Sequence, residues 1–320
     1  MTKLERLIIN KTPIAYLLNK SKHWYLPGFE GVPLYDVIRF FLRQVKTVGL
    51  TERASAISYN FIMAIPPSFL FLFTLIPNLP FISKQSIKRE LHGLILDVIP
   101  ARVHNDYLIS FVDSFLDETK IGLLSFGLIL ALFFASNAMM GLMRSFNKNY
   151  IGFSKRKDLH TRWMAIKLTA LIFLLVLGYL ILLASQGAVL KWIGITNASI
   201  REVILYGRWI FIVALVYMAI AFIYKYAPAV EKRWKLISPG TILGAFLSIL
   251  ATYGFSFFVN NFGKYNALYG SIGTIIVFMA LIYINSLVLL IGFELNVSIK
   301  SLRSIAEKRE IAEKSVEKLT

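Results

Sequence analysis

Apolar and polar residues alternate along this chain in long blocks rather than in short periods. Six apolar runs stand out, roughly Ile57–Leu79, Ile121–Met143, Met164–Leu190, Val203–Tyr226, Leu236–Val259 and Ser271–Val297. A hydrocarbon layer about 30 Å thick is crossed by about 20 helical residues rising 1.5 Å each, so every run is long enough to span it. The third and sixth exceed that length, which predicts tilt or an overhang into solvent. Shorter patterns are amphipathic. Leu34, Val37, Ile38, Phe41, Leu42 and Val45 share one helical face, opposite Arg39, Arg43, Gln44 and Lys46. Such a helix lies flat on a leaflet or packs against the protein's own membrane part. After the first run, Ile87, Leu91, Leu94, Ile95 and Val98 make one stripe. Tyr107, Leu108, Phe111, Val112, Phe115 and Leu116 make a second, beyond Pro100. Two short amphipathic helices that cap the bundle or float on the outer leaflet are predicted there.

The expected fold is therefore all-α: a polytopic membrane protein of six transmembrane helices with amphipathic interfacial helices. Residues 1–52 form an N-terminal segment, 53–299 the membrane domain with its outer segment 83–119, and 300–320 a charged tail extending the last helix. Composition agrees, at 57% hydrophobic and a mean hydropathy of +0.63. No short basic-then-apolar leader opens the chain, so the first span is expected to act as its own insertion signal. The absence of cysteine excludes disulfides, thiolate metal sites and cysteine nucleophiles.

The net charge of +17 is unevenly spread. Lys and Arg number nine in Met1–Arg53, six in Arg144–Arg162, four in Lys225–Lys235 and six in Lys300–Thr320. The intervening loops are poorer, with two in Lys191–Glu202, one in Asn260–Gly270, and five against six acids in Phe81–Lys120. This is the positive-inside pattern, and it places both termini in the cytosol. The basic excess then reports topology and attraction to anionic headgroups rather than specific nucleic-acid binding.

Polar groups at membrane depth are costly and raise functional questions. In the first span Asn60 precedes Pro66 and Pro67, which remove backbone donors and predict a kink or a break near mid-membrane. Arg53, Asn137, Arg144 and Glu294 fall at similar depths near the cytosolic ends of their helices. Glu294 is expected to pair with Arg53 or Arg144, or to face water, since a lone buried carboxylate is expensive. With Asn60 these residues form a candidate inner gate, or else a structural clamp on the helix ends. On the outer side Arg208, Asn261, Lys264, Tyr265, Asn266 and Tyr269 form a candidate mouth able to receive a phosphate or carboxylate, although Arg208 also has the length to snorkel to headgroups. Gly240 and Gly244, four apart, permit close helix contact. Asn285 suits an interhelical hydrogen bond. The four histidines are scattered over three segments, and neither a phosphate-binding Gly-rich loop nor Gly-x-Ser-x-Gly occurs.

Three segments carry a resemblance. Glu52-Arg53-Ala54-Ser55-Ala56 with Ser58-Tyr59-Asn60 and Ile65-Pro66-Pro67 is the first, and Ala135-Ser136-Asn137 through Arg144-Ser145-Phe146-Asn147 is the second. The third and most specific is Ser238-Pro239-Gly240, the loop Asn261–Gly270, and Gly292-Phe293-Glu294-Leu295-Asn296. Together they resemble the YihY/virulence factor BrkB family of bacterial inner-membrane proteins over about Thr51 to Ile299. Ala280 stands where that family often has Trp, and Phe293 replaces the usual Ala before the Glu, which bears on packing. The resemblance implies a multi-pass inner-membrane protein. Family members have carried the label ribonuclease BN, linked to tRNA maturation, and have been discussed in connection with virulence and with lipid or solute export. The residues favour a transporter or lipid-handling protein, with membrane lipids and a small-molecule or lipid cargo as partners. No cofactor, metal or specific nucleic acid is expected. The alternative is a non-catalytic membrane scaffold recruiting a cytosolic partner; a nuclease is disfavoured.

Overall fold

The computed structural model describes residues 20–75, 84–98, 102–117, 121–147, 150, 153, 157–192, 208–230, 233–262 and 271–317. Nine helices of at least 14 residues lie among them: α1 (Leu34–Thr47), α2 (Leu50–Leu75), α3 (Lys84–Val98), α4 (Arg102–Asp117), α5 (Ile121–Phe146), α6 (Asp158–Trp192), α7 (Arg208–Tyr226), α8 (Pro239–Phe262) and α9 (Ser271–Glu317). Five stretches, within α5 to α9, are long and apolar enough to cross a membrane. The helix expected as the first span is present as α2, 26 residues long, with a polar first half; it is not one of the five.

The centre of the bundle is α2, α5, α8 and α9. α2 packs along α5, α8 along α9, and α9 closes the group against α2, while α6 and α7 flank it. Large apolar side chains such as Ile129, Leu174, Ile210, Phe246, Tyr253 and Ile275 remain exposed on the outer faces. On a soluble protein that much apolar surface would be a liability; on a spanning bundle it is what lipid covers.

The structure bears on two expectations. Pro66 and Pro67 do not break the first helix, because α2 runs helical through both. The carbonyls that lose their donors to the two prolines are those of Ile62 and Met63, four residues earlier. α2 and α5 are tightly apposed: Asn60 sits directly over Gly141, where an added Cβ would lie 2.7 Å from its amide nitrogen. The amphipathic helix α1, for its part, divides its apolar face. Val37 is fully buried in a small core with Phe29, Val32 and Ile299, whereas Ile38 and Leu42 stay exposed. The turn from α1 into α2 passes through Gly49 at φ +65°, a conformation costly for residues with a Cβ.

The charged tail continues the last span as one helix. At 1.5 Å per residue, the 47 residues of α9 extend about 70 Å, more than twice a hydrocarbon layer. It is tied to the N-terminal segment part-way along, by Lys300 with Glu30 at 3.9 Å and by Arg303 Nη1 donating to the Glu30 carbonyl at 3.4 Å. At the opposite end of the bundle α3 and α4 pair, with His92 Nε2 3.0 Å and Lys88 Nζ 3.5 Å from Asp113.

Candidate functional site

The α8–α9 contact sets the position of every residue at the centre. Gly240 and Gly244 on α8 face Gly292 on α9 so closely that backbone touches backbone: a Cβ on Gly292 would lie 2.7 Å from the Gly240 carbonyl and 2.8 Å from the Gly244 Cα. Tyr224 of α7 reaches into the same junction and donates to the Leu289 carbonyl at 2.5 Å. Ser238 and Pro239 begin α8 as a cap and a first-turn proline. Ser238 Oγ accepts from the Thr241 amide at 3.2 Å, and Asn296 of α9 accepts from the Gly240 amide at 2.9 Å. Asn296 also donates to Ser238 Oγ at 2.9 Å. Asn285 donates to Thr252 Oγ1 at 3.2 Å and accepts from Ser248 Oγ at 2.5 Å, an interhelical link.

With α9 fixed in this way, Glu294 points into the bundle near the end that carries α1. It is fully buried, and Arg53 of α2 is nearly so, with Nη1 2.5 Å from Oε1. Arg53 Nη2 donates to the Ser145 carbonyl at 2.5 Å. Tyr150, in the connection after α5, donates to the same Oε1 at 2.6 Å and accepts from Arg53 Nη1 at 3.2 Å. Burial first, and then the adjacent carboxylate, hold its phenol well above the ordinary value, so it remains a donor. Glu294 Oε2 and Arg53 Nε, by contrast, are buried with no hydrogen-bond partner among the described residues.

Aromatic rings seal this charge pair. Phe293 stacks on Phe146 with centroids 3.9 Å apart and planes 3° from parallel. Tyr150, Phe153, Tyr224 and Trp234 approach Phe293 edge-on or tilted at 5.5–6.4 Å. Phe293 thus fills the junction. The two connections supplying these rings are themselves joined, by the Phe153–Val230 antiparallel bridge and by Asn147 Oδ1 accepting from the Ala229 amide at 2.7 Å.

Of the five residues expected at an inner gate, two are brought together. Arg144 is exposed, and Glu294 pairs with Arg53 instead. Asn137 accepts from Arg162 of α6, which also lies over the Phe133 ring at 5.4 Å. Asn60 donates to its own helix, at the Ala56 carbonyl, 2.7 Å away. Of the residues expected at the outer mouth, Arg208 opens α7 and Asn261 lies in the last turn of α8. Lys264, Tyr265, Asn266 and Tyr269 lie outside the described residues. Sequence reasoning missed Tyr150, the Ser145 carbonyl, Trp234 and Arg162. A loop tyrosine and a loop tryptophan lie on no helical stripe, so no periodicity pointed to them.

The geometry can now be set beside known proteins. The family described as Virulence factor BrkB matches residues 41–317. This chain belongs to that family. Within it the chain is similar to YfkH of Bacillus subtilis (strain 168), whose name calls it ribonuclease-like: 29% identity over 255 residues, covering 77% of this chain and 88% of that protein. It is 25% identical over 272 residues to a UPF0761 membrane protein of Pseudoalteromonas atlantica (81% and 84% covered). A UPF0761 membrane protein of Tolumonas auensis is 27% identical over 260 residues (80% and 82%). No solved structure matches. The match spans the Arg53–Glu294 pair, the aromatic seal and the α8–α9 junction, so all three belong to a BrkB-family multi-pass membrane protein.

Proposed function

We propose that this BrkB-family protein is a transporter of a lipid or small solute in the bacterial inner membrane, with the Arg53–Glu294 pair as its gate. The observation that carries this reading is the unfinished chemistry of that pair. An ion pair removed from water is at best marginal in stability, and it breaks even only when its remaining hydrogen-bonding groups are satisfied. Among the described residues Glu294 Oε2 and Arg53 Nε have no partner. Each unpaired buried polar atom costs about 1–3 kcal/mol. A permanent clamp has no use for that cost, whereas a gate whose groups exchange partners as it opens does. The poorer loops at one end and the basic segments at the other support a cytosolic position for the gate and for both termini.

The test is transport by purified protein in liposomes, with labelled phospholipid and a panel of small ions offered with and without a pH gradient. Wild-type protein is expected to move one of them. Glu294→Gln should slow that movement by about 10-fold or more, which requires only about 1.4 kcal/mol of lost stabilisation. Movement unaffected by Glu294→Gln would overturn the gate.

A scaffold is the second reading, favoured by the exposed part of α1 and by the length of α9 beyond any bilayer. It predicts loss of function on removing Met1–Thr47, with Glu294→Gln tolerated. The ribonuclease-like name of the Bacillus relative suggests a third. Among the described residues no three His, Asp or Glu side chains are grouped to hold a metal ion, so metal-dependent cleavage has no residue set to rest on there.

A further inference from the structure

The overhang of α9, the helix α1 and the segment before it line an open cavity of about 640 Å³ whose walls include neither Arg53 nor Glu294. Arg39 and Arg43 line it from α1, one turn apart on the same face, and Arg309 lines it from α9. Phe40 and Ile305 contribute apolar wall, and Asp36 is the one carboxylate among the lining residues. Three cations against one anion leave the cavity positive. Among the described residues none of the three arginines forms an ion pair; Glu307 pairs instead with Arg303 at 2.7 Å and Glu30 with Lys300 at 3.9 Å.

Like charges are not gathered around a concave site without cost, and a shared anion is what offsets it. Guanidinium groups present planar paired donors matched to phosphate oxygens. The volume lies in the range of small-molecule sites. The same helix α1 exposes Ile38 and Leu42, and the segment before it exposes Trp24, Tyr25 and Leu26. Aromatic and aliphatic side chains of this kind settle at the headgroup level of a bilayer.

We propose that Arg39, Arg43 and Arg309 form a binding site for a phosphate group at the membrane interface, carried by an anionic phospholipid headgroup or by a soluble phosphoester. This site is independent of the gate and survives if the gate reading fails.

The test uses the full-length protein in a nonionic detergent, titrated with short-chain phosphatidylglycerol, with glycerol phosphate, and with zwitterionic short-chain phosphatidylcholine. Arg43→Gln and Arg309→Gln should each weaken binding of the anionic ligand by roughly 10-fold, as expected for a lost charge-assisted hydrogen bond. Lys308→Gln removes one charge from an exposed position on α9 outside the cavity lining. It should stay within the roughly fivefold that general attraction of one basic residue supplies. All three substituted side chains are exposed, so the variants are expected to fold, and unchanged thermal unfolding will verify it. Binding of phosphatidylglycerol alone assigns the site to lipid; competition by glycerol phosphate assigns it to a soluble phosphoester. Equal weakening by Lys308→Gln and the arginine variants, or no charge-dependent binding, would overturn the proposal.

Discussion

Glu294→Ala, with Arg53 left in place, is expected to lose roughly 3–5 kcal/mol of stability, because it strands a buried guanidinium. Arg53 is 6% exposed and Glu294 0%, so water cannot replace the missing partner without the junction opening. The Arg53→Met/Glu294→Leu pair should behave differently. Replacing both charges by apolar groups of similar size is often neutral or stabilising by about 1–4 kcal/mol. It also removes the two unpartnered atoms and leaves the aromatic rings around Phe293 with an apolar neighbour. Thermal unfolding of the detergent-solubilised proteins would therefore place the double variant near wild type and the single variant far below it. The contrast separates two roles. If the charges only fasten helix ends, the double variant regains both fold and function. If they operate a gate, it regains the fold and nothing else.

Gly240→Val is expected to be nearly as damaging, for an unrelated reason. A Cβ at Gly240 would meet the Gly292 carbonyl and the Asn296 side chain, and the first of these is backbone in a helix with no rotamer to change. α8 and α9 must move apart, which breaks the Asn296 cap on the Gly240 amide and displaces Glu294 two residues away. Overpacking typically costs about 1–3 kcal/mol and more where the backbone must yield. The fraction of monodisperse protein recovered from the membrane should fall sharply for Gly240→Val and Gly292→Val. Gly178→Ala and Gly254→Ala serve as controls, because an added Cβ there has nothing within 4 Å. Normal recovery of Gly240→Val would mean that the α8–α9 contact is looser than its geometry states.

Five of the six expected spans were legible because a bilayer imposes length and polarity directly on the sequence, residue by residue, whereas α2, with its polar first half, is not one of the five stretches fit to span. Ser238-Pro239-Gly240 and Gly292 to Asn296 were legible as a motif, although their meaning is architectural: a cap, a first-turn proline and a backbone-to-backbone crossing. The Arg53–Glu294 partnership followed from depth and the cost of an unpaired carboxylate. Depth alone could not choose between Arg53 and Arg144, because the start of α2 and the end of α5 lie at the same side of the bundle and only rotation about the helix axis separates them. Pro66 and Pro67 left a kink and a break both open, and of the two the continuous helix α2 sets aside the break. Tyr150 and Trp234 were invisible because tertiary contact between two connections, not local pattern, brings them to the site.

The gate is tested most directly by asking whether water reaches it. The chain contains no cysteine, so a single one can be introduced without background. Ser145 is 8% exposed and its carbonyl accepts from Arg53, which makes Ser145→Cys a near-isosteric reporter beside the pair. A membrane-impermeant thiol reagent would be applied to each side of sealed vesicles containing the folded variant. A gate predicts reaction from the cytosolic side alone, slowed when Arg53 and Glu294 are both replaced by apolar residues that hold the junction shut. A thiol that stays unreactive from both sides, in protein shown to be folded, would contradict a gate and leave the pair as a clamp.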